Sequence, residues 1–143
     1  MKSFTLKPSA AETASAIGES KELVTDAYPF TQVLFLLDVT AAATAVDDTL
    51  DVFVDCSYDG GSTWINAVHF TQVLGNGGAK REVAKVTNGV LNDPDAVLPI
   101  ASDASAAVVR NIGVAPLYRY RSTIVDSDTD DASFTYSLTG YAQ

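Results

Sequence analysis

The chain has 143 residues, enough for one domain with a sizeable core. Hydrophobic residues make up 47% and charged residues only 19%, a balance that favours strands and turns over long charged helices. Nine basic against eighteen acidic residues give a net charge of −9, which argues against nucleic acid and anionic membranes as partners and for basic surfaces or cations.

The single cysteine, Cys56, excludes an internal disulfide and any multi-cysteine zinc site, and its alternating context reads as a buried small hydrophobe. No apolar run approaches the ~20 residues of a membrane span, so no membrane partner is expected. The start, Met1 to Leu6, lacks an apolar signal core and a cleavage site, so synthesis in a cytoplasm is expected.

Phe4 and Leu6 alternate with Ser3 and Thr5, which predicts a short first strand stopped by Pro8. Ser9–Ser20 is small and polar and fits one helical turn or a flexible arm. With little apolar surface to pin it, a loosely ordered arm is the expectation. Thr31–Thr40 carries an unbroken apolar run from Val33 to Leu37, the mark of a strand buried on both faces. Ala41–Asp48 is a loop. Leu50–Ser57 alternates Leu50, Val52, Val54 and Cys56 against Asp51, Phe53, Asp55 and Ser57, which predicts a half-buried strand. Asp59-Gly60-Gly61 is a hairpin turn, because glycine supplies the positive φ that such turns need. Trp64–Leu74 returns, with Ile65, Ala67, His69, Thr71 and Val73 on one face, and Gly75–Gly78 turns again.

Ala79–Val86 alternates charged and small apolar residues, and Thr87–Asp95 is loop. Val97–Ile100 and Ala106–Arg110 are candidate short strands. Tyr118–Val125 is a strand with Tyr118 and Tyr120 on one face and Arg119 and Arg121 on the other. Asp126–Asp131 is a polar turn, and Phe134–Tyr141 is the last strand. The sum is seven to nine short strands without a long helix. It predicts an all-β fold, a single antiparallel β-sandwich or jelly-roll-like domain. Residues 1–27 read as a strand with a flexible arm and residues 28–143 as the sandwich. Ala41–Asp48 and Thr87–Leu98 are the places for Greek-key crossings.

Few residues offer chemistry. His69 is the only histidine, no G-x-S-x-G elbow accompanies it, and a neutral histidine on a strand is the expectation. Asp126, Asp128 and Asp130 alternate as in hard-cation loops. An EF-hand would need Gly and Glu where Asp131 and Ser137 stand, so a solvated hairpin tip is preferred to a calcium site. Arg119 and Arg121 are either a docking surface for an acidic partner or cross-strand partners of acids such as Asp51 or Asp55. No catalytic residue, metal or cofactor is assigned.

Ser57, Asp59, Gly61, Thr63 and Trp64 fit S-x-D-x-G-x-T-W, which resembles the Asp-box of sialidase-like β-propellers. In those proteins the box is a structural hairpin repeated once per blade. Here it occurs once, so it is read as a structural turn with Gly60 at its tip. The order of segments is also telling: VLFLLDVTAAA, TLDVFVDCSYDGGSTW, HFTQV, YRYRSTIV and SFTYSLTGYA. It is similar to a group of small virion proteins of tailed bacteriophages, across Val33 to Ala142. The resemblance implies a non-enzymatic capsid decoration (cement) or minor head protein on the capsid exterior. It would bind the major capsid protein or other virion proteins and form a homo-oligomer, with a trimer favoured. The alternatives are a neck or tail component, or a carbohydrate-binding adhesin that uses Trp64 and tyrosines as a sugar platform.

Overall fold

Period-two alternation makes strands of most segments expected to form them, and the described residues contain no helix. The computed structural model describes residues 1–23, 30–88, 100–128 and 132–143. Among them are eleven strands. These are β1 (Lys2–Glu12), β2 (Ala16–Ile17), β3 (Lys21–Glu22), β4 (Gln32–Ala41), β5 (Thr49–Ser57) and β6 (Ile65–His69), then β7 (Val73–Leu74), β8 (Lys80–Thr87), β9 (Val108–Val109), β10 (Leu117–Val125) and β11 (Phe134–Ala142).

Two antiparallel sheets pack face to face as a β-sandwich. The first sheet has the order β1-β11-β4-β8. The second runs β2-β10-β5-β6-β9, with β3 also on β10 and β7 also on β5. The Ala41–Asp48 loop carries the chain from the first sheet to the second. Gly75–Gly78, expected as a plain turn, also changes sheets, because it joins β7 to β8. Of Val97–Ile100, the first three residues lie outside the described set and Ile100 sits in a turn, whereas Ala106–Arg110 contains β9.

The core is the inward set of both sheets. Val33, Phe35, Leu37 and Val39 of β4 and Phe134, Tyr136 and Leu138 of β11 face Leu50, Val52, Val54 and Cys56 of β5 and Tyr118 of β10, all at most 1% exposed. Each such Val, Leu or Phe contributes roughly 1.5–3 kcal/mol by leaving water. Phe35 meets Tyr118 edge-on with centroids 5.1 Å apart, and Phe4 of β1 stacks on Tyr118 at 6.3 Å. The Phe4 ring lies over Gly140, where a Cβ would come within 2.1 Å of it, so glycine is required there.

Several expectations are corrected. β1 does not stop at Pro8 but continues to Glu12 on β11, through register shifts between Thr5 and Ala10. Pro8 is tolerated because β1 is an edge strand and the irregularity lies at that point. The loose arm is instead paired strand: β1 reaches Glu12, and β2 and β3 both bond β10. Finally, β4 is not the strand buried on both faces. Its burial alternates, with Leu34 and Leu36 only partly covered, whereas β5 is buried at every position from Val52 to Ser57. Trp64–Leu74 is likewise broken into β6 and β7. A shift between Val54 and Asp55 splits its expected face, leaving Ala67 and Val68 in the core and His69 beside Phe53 on the outer side.

Candidate functional site

The Ser57–Trp64 hairpin is held by its own short side chains. Ser57 Oγ donates to Asp59 Oδ1 at 2.8 Å and accepts from the Gly61 amide at 2.9 Å, and the Thr63 amide donates to Asp59 Oδ1 at 2.8 Å. Those donors, the Thr63 amide first, hold the Asp59 carboxyl below its ordinary value. Gly60 and Gly61 take φ of +71° and +91°, a path β-carbon residues resist. Trp64 is half-buried: Gly61 lies against its ring, and the Arg119 guanidinium stacks 4.2 Å from the ring centroid. One face of the indole is therefore taken by the protein itself.

From Trp64 a ladder of alternating cations and rings runs across the outer face of the second sheet. Register sets Arg119 opposite Asp55 and Arg121 opposite Phe53 on β5. Both arginines reach the Asp55 carboxylate, at 3.4 and 3.2 Å. Arg121 also binds Asp103 at 2.6 Å and lies over the Phe53 ring at 4.1 Å, and Phe53 in turn packs on His69 with centroids 4.1 Å apart. Of the two readings of Arg119 and Arg121, cross-strand pairing is what the geometry contains. Asp55 is the partner, while Asp51 is taken by His69 and Gln72, each at 2.9 Å.

His69 Nδ1 lies 2.8 Å from the Ala104 carbonyl and Nε2 lies 2.9 Å from Asp51. Both ring nitrogens are engaged by oxygen atoms of the protein, so neither is left to activate a nucleophile. The histidine stands on a strand, as expected, and is hydrogen-bonded through both ring nitrogens. Beside it, a groove of about 270 Å³ between β6 and β8 is lined by His69, Glu82 and Val109 among others. That is below the usual ligand range, and Glu82 is engaged by the Thr71 amide and Lys80. Cys56 is inert: burial pushes its thiol up to about 12.

The aspartate turn differs from expectation. Asp126 and Asp128 approach Asp48, with one oxygen of each within 4.8 Å of the others, and Asp130 lies outside the described residues. Asp48 is 2% exposed, and its Oδ1 accepts from the amide and hydroxyl of Ser127, both at 3.0 Å. Ser127, between Asp126 and Asp128, thus ties the turn after β10 to the Ala41–Asp48 loop through Asp48. Exposed acids gather this way without a cation.

Sequence reading missed a second polar cluster, between the sheets. Glu12 at the end of β1 accepts from Tyr120 at 3.3 Å, from Ser122 at 3.2 Å, and from the Tyr136 hydroxyl. Burial, then the bond to Glu12, raises Tyr136 well above the ordinary tyrosine value. Lys7, 5% exposed, spans the carbonyls of Ala10 and Tyr136 and covers the Tyr136 ring at 4.0 Å. Burial lowers its ammonium from the ordinary lysine value, against the pull of Glu12. The only sequence signal was a lone glutamate in a small-residue stretch.

No helix among the described residues is long and apolar enough to cross a membrane. No protein-family description matches the chain, and no curated protein matches it.

Proposed function

We propose that this chain is a non-enzymatic structural protein of a tailed-phage virion, a decoration or minor head protein on the capsid exterior that stabilises the shell. The observation that carries the reading is the use of the chemistry-bearing side chains. Ser57, Asp59, His69, Arg119, Arg121 and Glu12 are all committed by hydrogen bonds or ion pairs to holding strands and turns. A shell component needs a rigid sandwich rather than a reacting centre. The acidic surface suits a position away from packaged DNA. A protein that binds only the assembled lattice stabilises it by mass action, and the repeating lattice multiplies weak contacts.

The test is sedimentation of the purified protein with heads of the encoding phage, before and after expansion, and with tails in parallel. The expected outcome is co-sedimentation with heads and a higher temperature of head disruption. Binding to tails alone would move the protein to the neck or tail. Quenching of Trp64 fluorescence by glycans, without head binding, would favour a carbohydrate-binding module.

A further inference from the structure

The two outer faces of the sandwich differ in kind. On the second sheet, the outer side chains are bonded to one another and to residues 103 and 104. On the first sheet, outer-face polar contacts link neighbouring strands, as in Arg81 with Asp38 at 3.0 Å and Thr40 with Thr135 at 3.2 Å. Register places Leu34 between Tyr141 and Lys85, and Leu36 between Thr139 and Val83. Val83 is 65% exposed, and Lys85 is exposed with no partner among the described residues. β1 contributes Ser3 and Thr5. The face is therefore an apolar strip with cations along the β8 margin and hydroxyls along the β1 margin.

We infer that a second copy of this chain docks on this face about a two-fold axis parallel to the strands. Charge selects the face. On a chain of net −9, it carries among the described residues one carboxylate, Asp38, already tied to Arg81, against the two cations Arg81 and Lys85. Contact through most other surfaces would bring carboxylates of two acidic molecules together. Shape selects the symmetry. A two-fold along the strands turns β8 of one copy over β1 of the other and β11 over β4. Tyr141 then meets the leucines, and Arg81 and Lys85 meet hydroxyls. A two-fold across the strands would stack the cations on themselves. Four strands about 4.8 Å apart and about 27 Å long give a contact of about 1,000 Å² in total, the low end for a specific interface. Such a contact is isologous and closes at two copies, in place of the three-fold arrangement expected from the sequence.

The pairing does not depend on the virion reading. Sedimentation equilibrium over a concentration series, at low and high salt, tests it. The expected result is a monomer–dimer equilibrium that tightens as salt rises, because salt screens the mutual repulsion of two acidic molecules. Val83→Glu and Leu36→Glu each place a carboxylate twice in the interface and should weaken the dimer at least about a hundredfold. Val46→Glu, in an exposed loop, should leave it unchanged. Circular dichroism checks folding, and Val83 is 65% exposed, so its variant is expected to fold. A wild-type monomer throughout, a trimer, or a dimer indifferent to Val83→Glu would overturn the pairing. So would loss of head binding in Val83→Glu with no change in self-association, which would give the face to another protein. A monomer that still sediments with heads defeats the pairing alone, and a dimer that ignores heads defeats the virion reading alone.

Discussion

Two guanidinium groups and the Asn66 carboxamide converge on Asp55, whose side chain is 5% exposed. Removing one partner of a buried ionic cluster leaves the others desolvated without compensation, and that cost exceeds what the intact cluster contributes. Asp55→Asn keeps the shape and removes the charge. It should lower unfolding stability by about 3 kcal/mol, measured by urea denaturation at neutral pH. The Trp64 environment should change with it, since Arg119 would be released from its stack on the indole. Residues of the turn were legible in the sequence because Ser57, Asp59, Gly61 and Thr63 bond within four positions. The roles of Asp48 and Glu12 were not, because their partners lie 79 and 124 positions away and meet only through the folding of distant segments onto one another. That Arg119 and Arg121 would find an aspartate on a neighbouring strand was readable. Which aspartate depended on β10 lying against β5 with Arg119 opposite Asp55.

β1 shows how far an element can depart from its local signals. Proline, small residues and a break in alternation mark Pro8 as an end, yet the strand runs on to Glu12. Tertiary contacts outweigh the local cost there: the Lys7 ammonium bonds three carbonyls, and the Glu12 carboxylate takes three hydroxyls. Glu12→Ala would leave the buried Tyr136 hydroxyl without its acceptor, at a cost of about 1–3 kcal/mol. Glu12→Gln should cost less, because an amide oxygen still accepts. Thermal unfolding followed in the tyrosine near-ultraviolet band reads both. An equal effect of the two would show that charge on Glu12, not acceptor geometry, fixes the end of β1. Alternation gave β5, β10 and β11 almost to the residue, since their side chains report a period of two whichever layer covers them. It assigned the layers of β4 and β5 the wrong way round. The run Val33–Leu37 is apolar on an outer face that stays partly open. Asp51, Phe53 and Asp55 are polar or aromatic on a face that the arginines and residues 103 and 104 cover. Hydrophobicity alone does not distinguish a face awaiting a partner from one closed by paired charges.

At the scale of the whole molecule, the net charge of −9 and the internal ion pairs respond differently to salt. Surface carboxylates repel one another across distances that a Debye length of about 10 Å at 0.1 M cuts off, so added salt should favour the compact state. The Asp55 cluster is buried and short-ranged, so salt should change it little. The melting temperature is therefore expected to rise by a few degrees between low salt and about 0.5 M, while the penalty of Asp55→Asn stays nearly constant across that range. Self-association would raise the melting temperature too, and it strengthens with salt for the same electrostatic reason. The two effects separate in Val83→Glu, which cannot pair through the first sheet. If its melting temperature still climbs with salt and no longer depends on protein concentration, the rise belongs to the monomer's own charge. If the climb disappears with the pairing, self-repulsion within one molecule is too weak to matter, and the acidity acts between molecules.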